Sequence, residues 1–182
     1  MKRNLGEVRR LQSAFAKQAL LAFAAGSAAH FLFDALGRWP PLGWLAPVNE
    51  SLWEHIKMAF WPILIIDGPA GRRLPSIEHG VVCTALSASI SALLIIPLFY
   101  GYTGVWGEHY LIADIVVFAI SVSSGHWVAY RVALGPVPST ASVLAACALA
   151  LSLGVALIVF TYAPPPMEVF RDSLTGKFGL DG

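Results

Sequence analysis

The chain has 182 residues, of which 57% are hydrophobic and 13% are charged. An ordinary soluble domain carries about 25% charged residues, and a domain this small has too much surface to hide such an apolar composition. The formal net charge is only +1, and without a long basic run it argues against a nucleic-acid partner. We therefore expect the main partner of the chain to be the lipid bilayer.

Five apolar stretches approach the length of about 20 residues that a helix needs to cross a bilayer. They occupy residues 14–36, 51–67, 80–100, 110–132 and 139–163. The second stretch is the weakest, because it contains charged residues and Pro62, which should kink it. The prediction is an all-α bundle of five transmembrane helices, with a short, Pro-kinked second helix. It forms one domain over residues 1–163, and residues 164–182 form a short extracytoplasmic tail.

Basic residues predict the orientation, because cytoplasmic segments of membrane proteins are enriched in Lys and Arg. With the N-terminus inside, the inner segments hold Lys2, Arg3, Arg9, Arg10, Lys17, Arg72, Arg73 and Arg131, and the outer segments hold Arg38, Lys57, Arg171 and Lys177. We predict a multi-pass protein of the bacterial cytoplasmic (inner) membrane, with its N-terminus inside and its C-terminus outside. The alanine-rich run after the basic N-terminus also resembles a signal peptide, which leaves the retention of the first span open.

Ionisable residues gather near the outer ends of three predicted helices. They are His30 and Asp34 on the first, Glu50, Glu54 and His55 at the start of the second, and Asp114 on the fourth. Residues four apart, such as His30 and Asp34, share one helix face. Counted with Glu108, Arg38 and Lys57, the group has a net formal charge of −3. A charge at the bilayer centre costs about 2.5–3.5 kcal/mol, so we expect these side chains to face inward and meet.

Several carboxylates in a low dielectric require a compensating cation. Histidine nitrogen together with Asp or Glu oxygen suits a divalent metal such as zinc, iron or manganese. We predict a metal site drawn from a subset of His30, Asp34, Glu50, Glu54, His55 and Asp114. If the protein is an enzyme, Glu54 or Glu50 is the candidate general base, and metal-activated water would attack a lipid or envelope substrate.

Two other functions fit the same residues, so the sequence leaves open whether the protein is an enzyme. Carboxylates that bind and release protons in turn would serve a proton- or cation-coupled transporter. A polar network that only joins three helices, with Lys57 paired to Glu50 or Glu54, would make the chain a non-catalytic membrane subunit.

The segment 47–57, PVNESLWEHIK, resembles the signature V-N-E-S-x-W-E-H-x-K of a prokaryotic family of uncharacterised small multi-spanning membrane proteins. Further matches are His30 and Phe31 with Asp34, the segment 99–104, Asp114, and the tail segments 170–172 and 175–179. The likeness covers most of the chain. It implies a polytopic membrane protein and draws attention to the block of Asn, Glu and His residues, and it implies no particular reaction.

Overall fold

The structure is a computed structural model that describes residues 4–181. Lys2 and Arg3, which contribute to the predicted charge asymmetry, and Gly182 of the predicted tail lie outside the described residues. The chain is 77% helical, and its described part contains no strand. The predicted all-α class is therefore confirmed.

Six α-helices follow one another along the described chain. They are α1 (Leu5–Ala29), α2 (Leu32–Ala35), α3 (Leu52–Gly71), α4 (Ile77–Trp106), α5 (Leu111–Leu134) and α6 (Thr140–Tyr162). Each predicted apolar stretch coincides with one long helix, except that α1 begins nearer the N-terminus and a short helix, α2, follows it. Helix α3 is 20 residues long and continues through Pro62.

Polar side chains begin most of these helices. Asn4 and Glu7 form a capping box at the start of α1, and Ser51, Ser76 and Ser139 accept backbone N–H bonds at the starts of α3, α4 and α6. Such caps satisfy backbone donors that have no partner within the helix. They fix where each helix starts, and at α3 this places Glu50 just before the first turn.

Three helices, α4, α5 and α6, are long and apolar enough to cross a membrane. Helix α1 is less apolar because Lys17 and Gln18 interrupt it, and α3 contains Glu54, Lys57 and Asp67. The three charged side chains of α3 are all buried inside the bundle. Their burial agrees with a central position for α3, which packs against α1, α4 and α6.

Small residues bring α3 close to its neighbours at both ends. A Cβ on Gly26 of α1 would lie 2.2 Å from the backbone oxygen of Met58, and a Cβ on Gly80 of α4 would lie 2.7 Å from that of Gly71. Close backbone approach at small residues is typical of packed membrane helices. The first contact sets the distance between the polar ends of α1 and α3.

Candidate metal centre

His30 and His55 become neighbours because α1 and α3 run in opposite directions through the contact at Gly26 and Met58. His30 follows Gly26 by about one helical turn, and His55 precedes Met58 by about one turn. Their rings lie 5.2 Å apart between centroids, with 35° between the planes. The sequence therefore brings two imidazoles together through one glycine contact.

Glu50 lies between the two histidines. Its Oε1 is 3.6 Å from Nε2 of His30, and its Oε2 is 3.4 Å from Nε2 of His55. One potential ligand atom from each residue lies within 4.8 Å of the others. The side chains are 25% (His30), 38% (Glu50) and 32% (His55) exposed, so the group is open to one side.

A hydrogen bond to the backbone of Ser51 determines which ring nitrogen of His55 carries a proton. Its Nδ1 lies 2.8 Å from the backbone oxygen of Ser51, and because a carbonyl only accepts, Nδ1 carries the proton. A neutral His55 then has a lone pair on Nε2, which faces the Glu50 carboxylate. Two lone pairs repel unless a proton or a metal ion lies between them, and an imidazole fixed in this way by a backbone carbonyl is typical of a metal ligand.

The two contacts of Glu50, one to each of its oxygens, are compatible with the spacing of metal ligands. Charge-assisted N–H to carboxylate bonds are about 2.7–2.9 Å long, which is shorter than both contacts of Glu50. Ligand atoms held by a tetrahedral zinc ion, with bonds of about 2.0–2.2 Å, lie about 3.3–3.5 Å apart. The 3.4 and 3.6 Å contacts are close to that spacing.

The C-terminal tail holds the backbone of Glu50 on both sides. The Glu50 N–H donates to Oδ1 of Asp172 at 3.1 Å, and the Ser173 hydroxyl donates to the Glu50 carbonyl at 3.2 Å. The amide of Asn49 donates to the Gly179 carbonyl at 2.8 Å. The tail therefore packs on the loop that carries the central carboxylate and restricts its movement.

The carboxyl of Glu50 is also tuned electrostatically. The contact with the His55 side chain is the largest cause that lowers the pKa of Glu50, partial burial opposes it, and the charges of His55 and His30 lower it further. The net pKa lies below the ordinary value, so Glu50 is ionised at neutral pH. An ionised carboxylate is the form that binds a metal ion.

Glu54 is not part of this group, although it shares a helix with His55. Its Oε2 is 2.6 Å from Nζ of Lys57 and accepts the Val48 N–H at 2.9 Å. Its Oε1 accepts the Thr161 hydroxyl of α6 at 2.9 Å. Lys57 also donates to the Gly43 carbonyl at 2.7 Å. Glu54 and Lys57 thus form a fully buried ion pair that joins α3 to α6 and to the loop before α3.

Asp34 and Asp114 lie at the margin of the group. Asp34 is exposed and pairs with Arg38 at 3.3 Å. Asp114 accepts a hydrogen bond from the Tyr102 hydroxyl and lies 3.1 Å from Nδ1 of His109, and it is close enough to His55 to interact with its charge. Of the six residues in the predicted metal set, the structure brings together His30, Glu50 and His55, and it gives Asp34, Glu54 and Asp114 other partners.

The protein-family comparison places the chain in a family without an assigned activity. A profile described as a family of unknown function (DUF6512) matches residues 7–180. The chain belongs to this family. The match supports the resemblance to an uncharacterised family, whereas the sequence signature and the prokaryotic origin stay predictions. Comparison with curated proteins gives no match, and comparison with solved structures gives none.

Two features of the site were missed by the sequence analysis. The first is the pair of tail residues, Asp172 and Ser173, that hydrogen-bond to the backbone of Glu50. They lie about 120 residues from Glu50 in the chain, and no local sequence pattern indicates the contact. The second feature is the pair of partners of Asp114, Tyr102 and His109, which the sequence analysis did not connect with it. The tail contacts Glu50 directly, and Asp114 is close enough to His55 to interact with its charge.

Proposed function

We propose that this protein is a five-span membrane protein with a divalent transition-metal site at its outer surface. The ligands are His30, Glu50 and His55, and the reaction is hydrolysis of a lipid or envelope substrate. The observation that carries the proposal is one ionised carboxylate within 3.4–3.6 Å of two imidazole nitrogens. Two histidines and one carboxylate form a known catalytic ligand set that leaves a coordination position open.

The apolar surface supports membrane insertion of the bundle. Helix α6 carries exposed Leu144, Leu151, Val155 and Val159, and most of the apolar stretches of α5 and α6 remain unburied within the chain. Helix α3 hides its charges inside the bundle, as an intramembrane helix must. These features favour five spans, with α3 at the centre and lipid around the other helices.

The surroundings of the ligands support hydrolytic chemistry. A metal ion at this position would polarise a substrate oxygen and lower the pKa of water. Glu50 is used as a ligand and Glu54 is paired with Lys57, so the candidate acid–base groups are Asp114, which interacts with the charge of His55, and its partner His109. His109 is 57% exposed on its side chain, and this allows it to exchange protons with solvent.

Metal content tests the proposal. The purified protein should retain a divalent metal in detergent, and His55→Ala, His30→Ala or Glu50→Gln should each lose it. His109→Ala is the matched control, because this histidine also lies beside a carboxylate but is not a proposed ligand. Metal loss on His109→Ala alone, or equal metal content in all the variants, would refute the site.

Side-specific labelling tests the topology. In a background without Cys83 and Cys147, Leu174→Cys places a thiol on the exposed tail and Arg73→Cys places one between α3 and α4. An impermeant thiol reagent should label Leu174→Cys in intact cells and Arg73→Cys only after permeabilisation. Labelling of both from outside would contradict five spans.

A further inference from the structure

A second pair of ionisable side chains lies inside the bundle, away from the candidate metal centre. Asp67 of α3 and His126 of α5 approach to 3.2 Å between Oδ2 and Nε2, and their side chains are 5% and 3% exposed. Neither group touches His30, Glu50 or His55. Ionisable side chains buried this deeply between membrane helices are costly, and they usually mark a functional site.

The contacts of His126 place a proton in this pair. Its Nδ1 lies 2.8 Å from the backbone oxygen of Val122, so Nδ1 donates a proton and Nε2 is the remaining nitrogen. Nε2 faces the Asp67 carboxylate at an ion-pair distance without the alignment of a hydrogen bond. A neutral ring beside an ionised carboxylate would bring lone pairs together in a low dielectric. One proton, carried by either group, removes this repulsion.

The neighbouring face of α4 is polar over three helical turns. His79, Cys83, Ser87 and Ser91 follow one another at intervals of four residues and are all buried. At about 1.5 Å per residue, the stripe spans about 18 Å. It begins at the half-buried cap Ser76, whose hydroxyl lies 3.1 Å from Nδ1 of His79, and so it leads from the surface into the bundle.

The stripe lies next to the pair. The Cys83 thiol donates to the Ala129 carbonyl at 3.3 Å, and Asp67 is close enough to interact with the charge of that thiol. A Cβ on Gly125, the residue before His126, would lie 2.2 Å from Oγ of Ser91. These contacts bring α3, α4 and α5 together around one polar region.

The side chains of this region lack protein partners that other hydroxyls in the chain possess. Ser27 and Thr103 each donate to the carbonyl four residues earlier, at 2.9 and 2.8 Å. The buried polar atoms without a hydrogen-bond partner among the described residues include Oδ1 of Asp67, Nε2 of His79, and the hydroxyls of Ser87, Ser91 and Ser121. Buried polar groups in proteins are normally satisfied by protein or by ordered water, so water is the natural partner here.

We propose that Asp67 and His126 form an intramembrane binding site for one exchangeable proton, which water reaches along the α4 stripe from the surface where α4 begins. The proton binds between Oδ2 of Asp67 and Nε2 of His126, which takes the pair from a net charge of −1 to zero. Release returns the proton to water, and no other bond forms or breaks. This site is independent of the proposed metal centre.

The other groups that face the pair are few. Helix α4 contributes Cys83 and, one turn away, His79, while α1 contributes the apolar ring of Phe15, which packs with Cys83 and Ala129. Lys17 of α1 is exposed. The proton on the pair is therefore controlled by Asp67 and His126 themselves, with His79 as the group between them and the surface.

Nitrogen-15 NMR of histidine-labelled, full-length protein in lipid nanodiscs tests this site. The chain contains five histidines, and His126→Asn assigns the signal of interest. We expect Nε2 of His126 to carry or share a proton that exchanges with water. Asp67→Asn should leave a lone pair on Nε2, and Asp67→Glu should restore the exchanging proton.

Two controls separate proton binding from a structural role. His79→Asn should slow water exchange at His126 several-fold, whereas His109→Asn, at the other end of the bundle, should leave it unchanged. Unchanged signals of His30 and His55 report that each variant is folded. An Nε2 of wild-type His126 that neither carries a proton nor accepts one from Asp67, or a shared proton that does not exchange with water, would overturn the proposal.

Discussion

Lys57 shows how one residue can be essential to the fold and still lie outside the candidate site. Its side chain is wholly buried, and its ammonium group has Glu54 and backbone carbonyls as partners. The free-energy cost of burying a charge is offset when each of its hydrogen-bond donors has an acceptor. The pair joins α3 to the loop and to α6, so we assign it to stability rather than to metal binding.

Replacing Lys57 with Met tests this assignment. The change leaves the Glu54 carboxylate buried without its partner, and breaking a buried ion pair costs about 3–5 kcal/mol. Thermal unfolding in detergent should show a strongly lowered midpoint, whereas the molecules that remain folded should keep their metal.

Lys17→Met is the control, because Lys17 is exposed and its loss should be nearly neutral. The double change Glu54→Gln with Lys57→Met should recover part of the lost stability, since no charge then remains buried. Equal midpoints for Lys57→Met and Lys17→Met would argue against the structural assignment.

Asp172 gives the docked tail a defined response to pH. Burial raises the pKa of Asp172, but hydrogen bonds from the side chain of Thr175 and from the backbone N–H groups of Leu174, Glu50 and Thr175 lower it, and the net pKa lies below 3.8. A carboxyl whose pKa is lower in the folded state stabilises that state when it is ionised. The stabilisation is complete well above the unfolded pKa and is lost as the pH falls toward the folded pKa.

Hydrogen exchange of the tail measures this response. Protection of the backbone N–H groups of Leu174 and Thr175 should be constant at neutral and mildly acidic pH and should fall below about pH 4. Asp172→Asn should show weak protection with little dependence on pH in that range. A tail that stays equally protected in wild type at low pH would contradict the role of this carboxylate.

At the scale of elements, the approach of α1 to α3 forms the candidate site. The sequence predicted both helices from hydropathy, and it placed His30 and His55 near the same depth. It did not predict the contact of Gly26 with Met58, because a glycine in an alanine-rich helix gives no local sign of what lies opposite. That contact determines that the two rings are adjacent.

Gly26→Ala tests the dependence of the site on this contact. The new Cβ would lie 2.2 Å from the Met58 oxygen and 2.7 Å from the Phe118 ring, so α1 must move away from α3. We expect a loss of about 1–3 kcal/mol of stability, as overpacking usually gives, and weaker metal binding measured by titration. Gly101→Ala on α4, with nothing within 4 Å of its Cβ, is the matched control. Intact metal affinity in Gly26→Ala would contradict this account of the site.

The position of Glu50 shows why residue spacing alone does not separate the metal ligand from the structural carboxylate. Glu50 and Glu54 are four residues apart, and this spacing predicts a shared face only when both residues belong to one helix. Helix α3 begins at Leu52, capped by Ser51, so Glu50 lies in the preceding loop and follows the path of that loop. Glu50 therefore lies beside the histidines, whereas Glu54 turns into the bundle toward Lys57.

At the scale of the whole molecule, composition and apolar length were sufficient to predict the helices and the all-α class. The central position of α3 was not predictable from composition, because its charged residues made it the weakest candidate for a transmembrane helix. The structure explains them by burial, with Glu54 paired to Lys57 and Asp67 to His126. The Glu54–Lys57 pair lies within one helix and was among the pairings that the sequence offered, whereas the Asp67–His126 pair joins two different helices. Pairing of the second kind is set by tertiary packing, which a single sequence read locally does not encode.

The most direct test of the account is X-ray absorption spectroscopy at the metal edge of the purified wild-type protein. The account predicts a shell of nitrogen and oxygen ligands at about 2.0–2.2 Å, with the outer scattering of two imidazoles. His55→Ala should give no bound-metal spectrum, and His109→Ala should keep the metal with both imidazoles. A protein that binds no metal, or a ligand shell without imidazole, would contradict the claim that His30, Glu50 and His55 form a metal site.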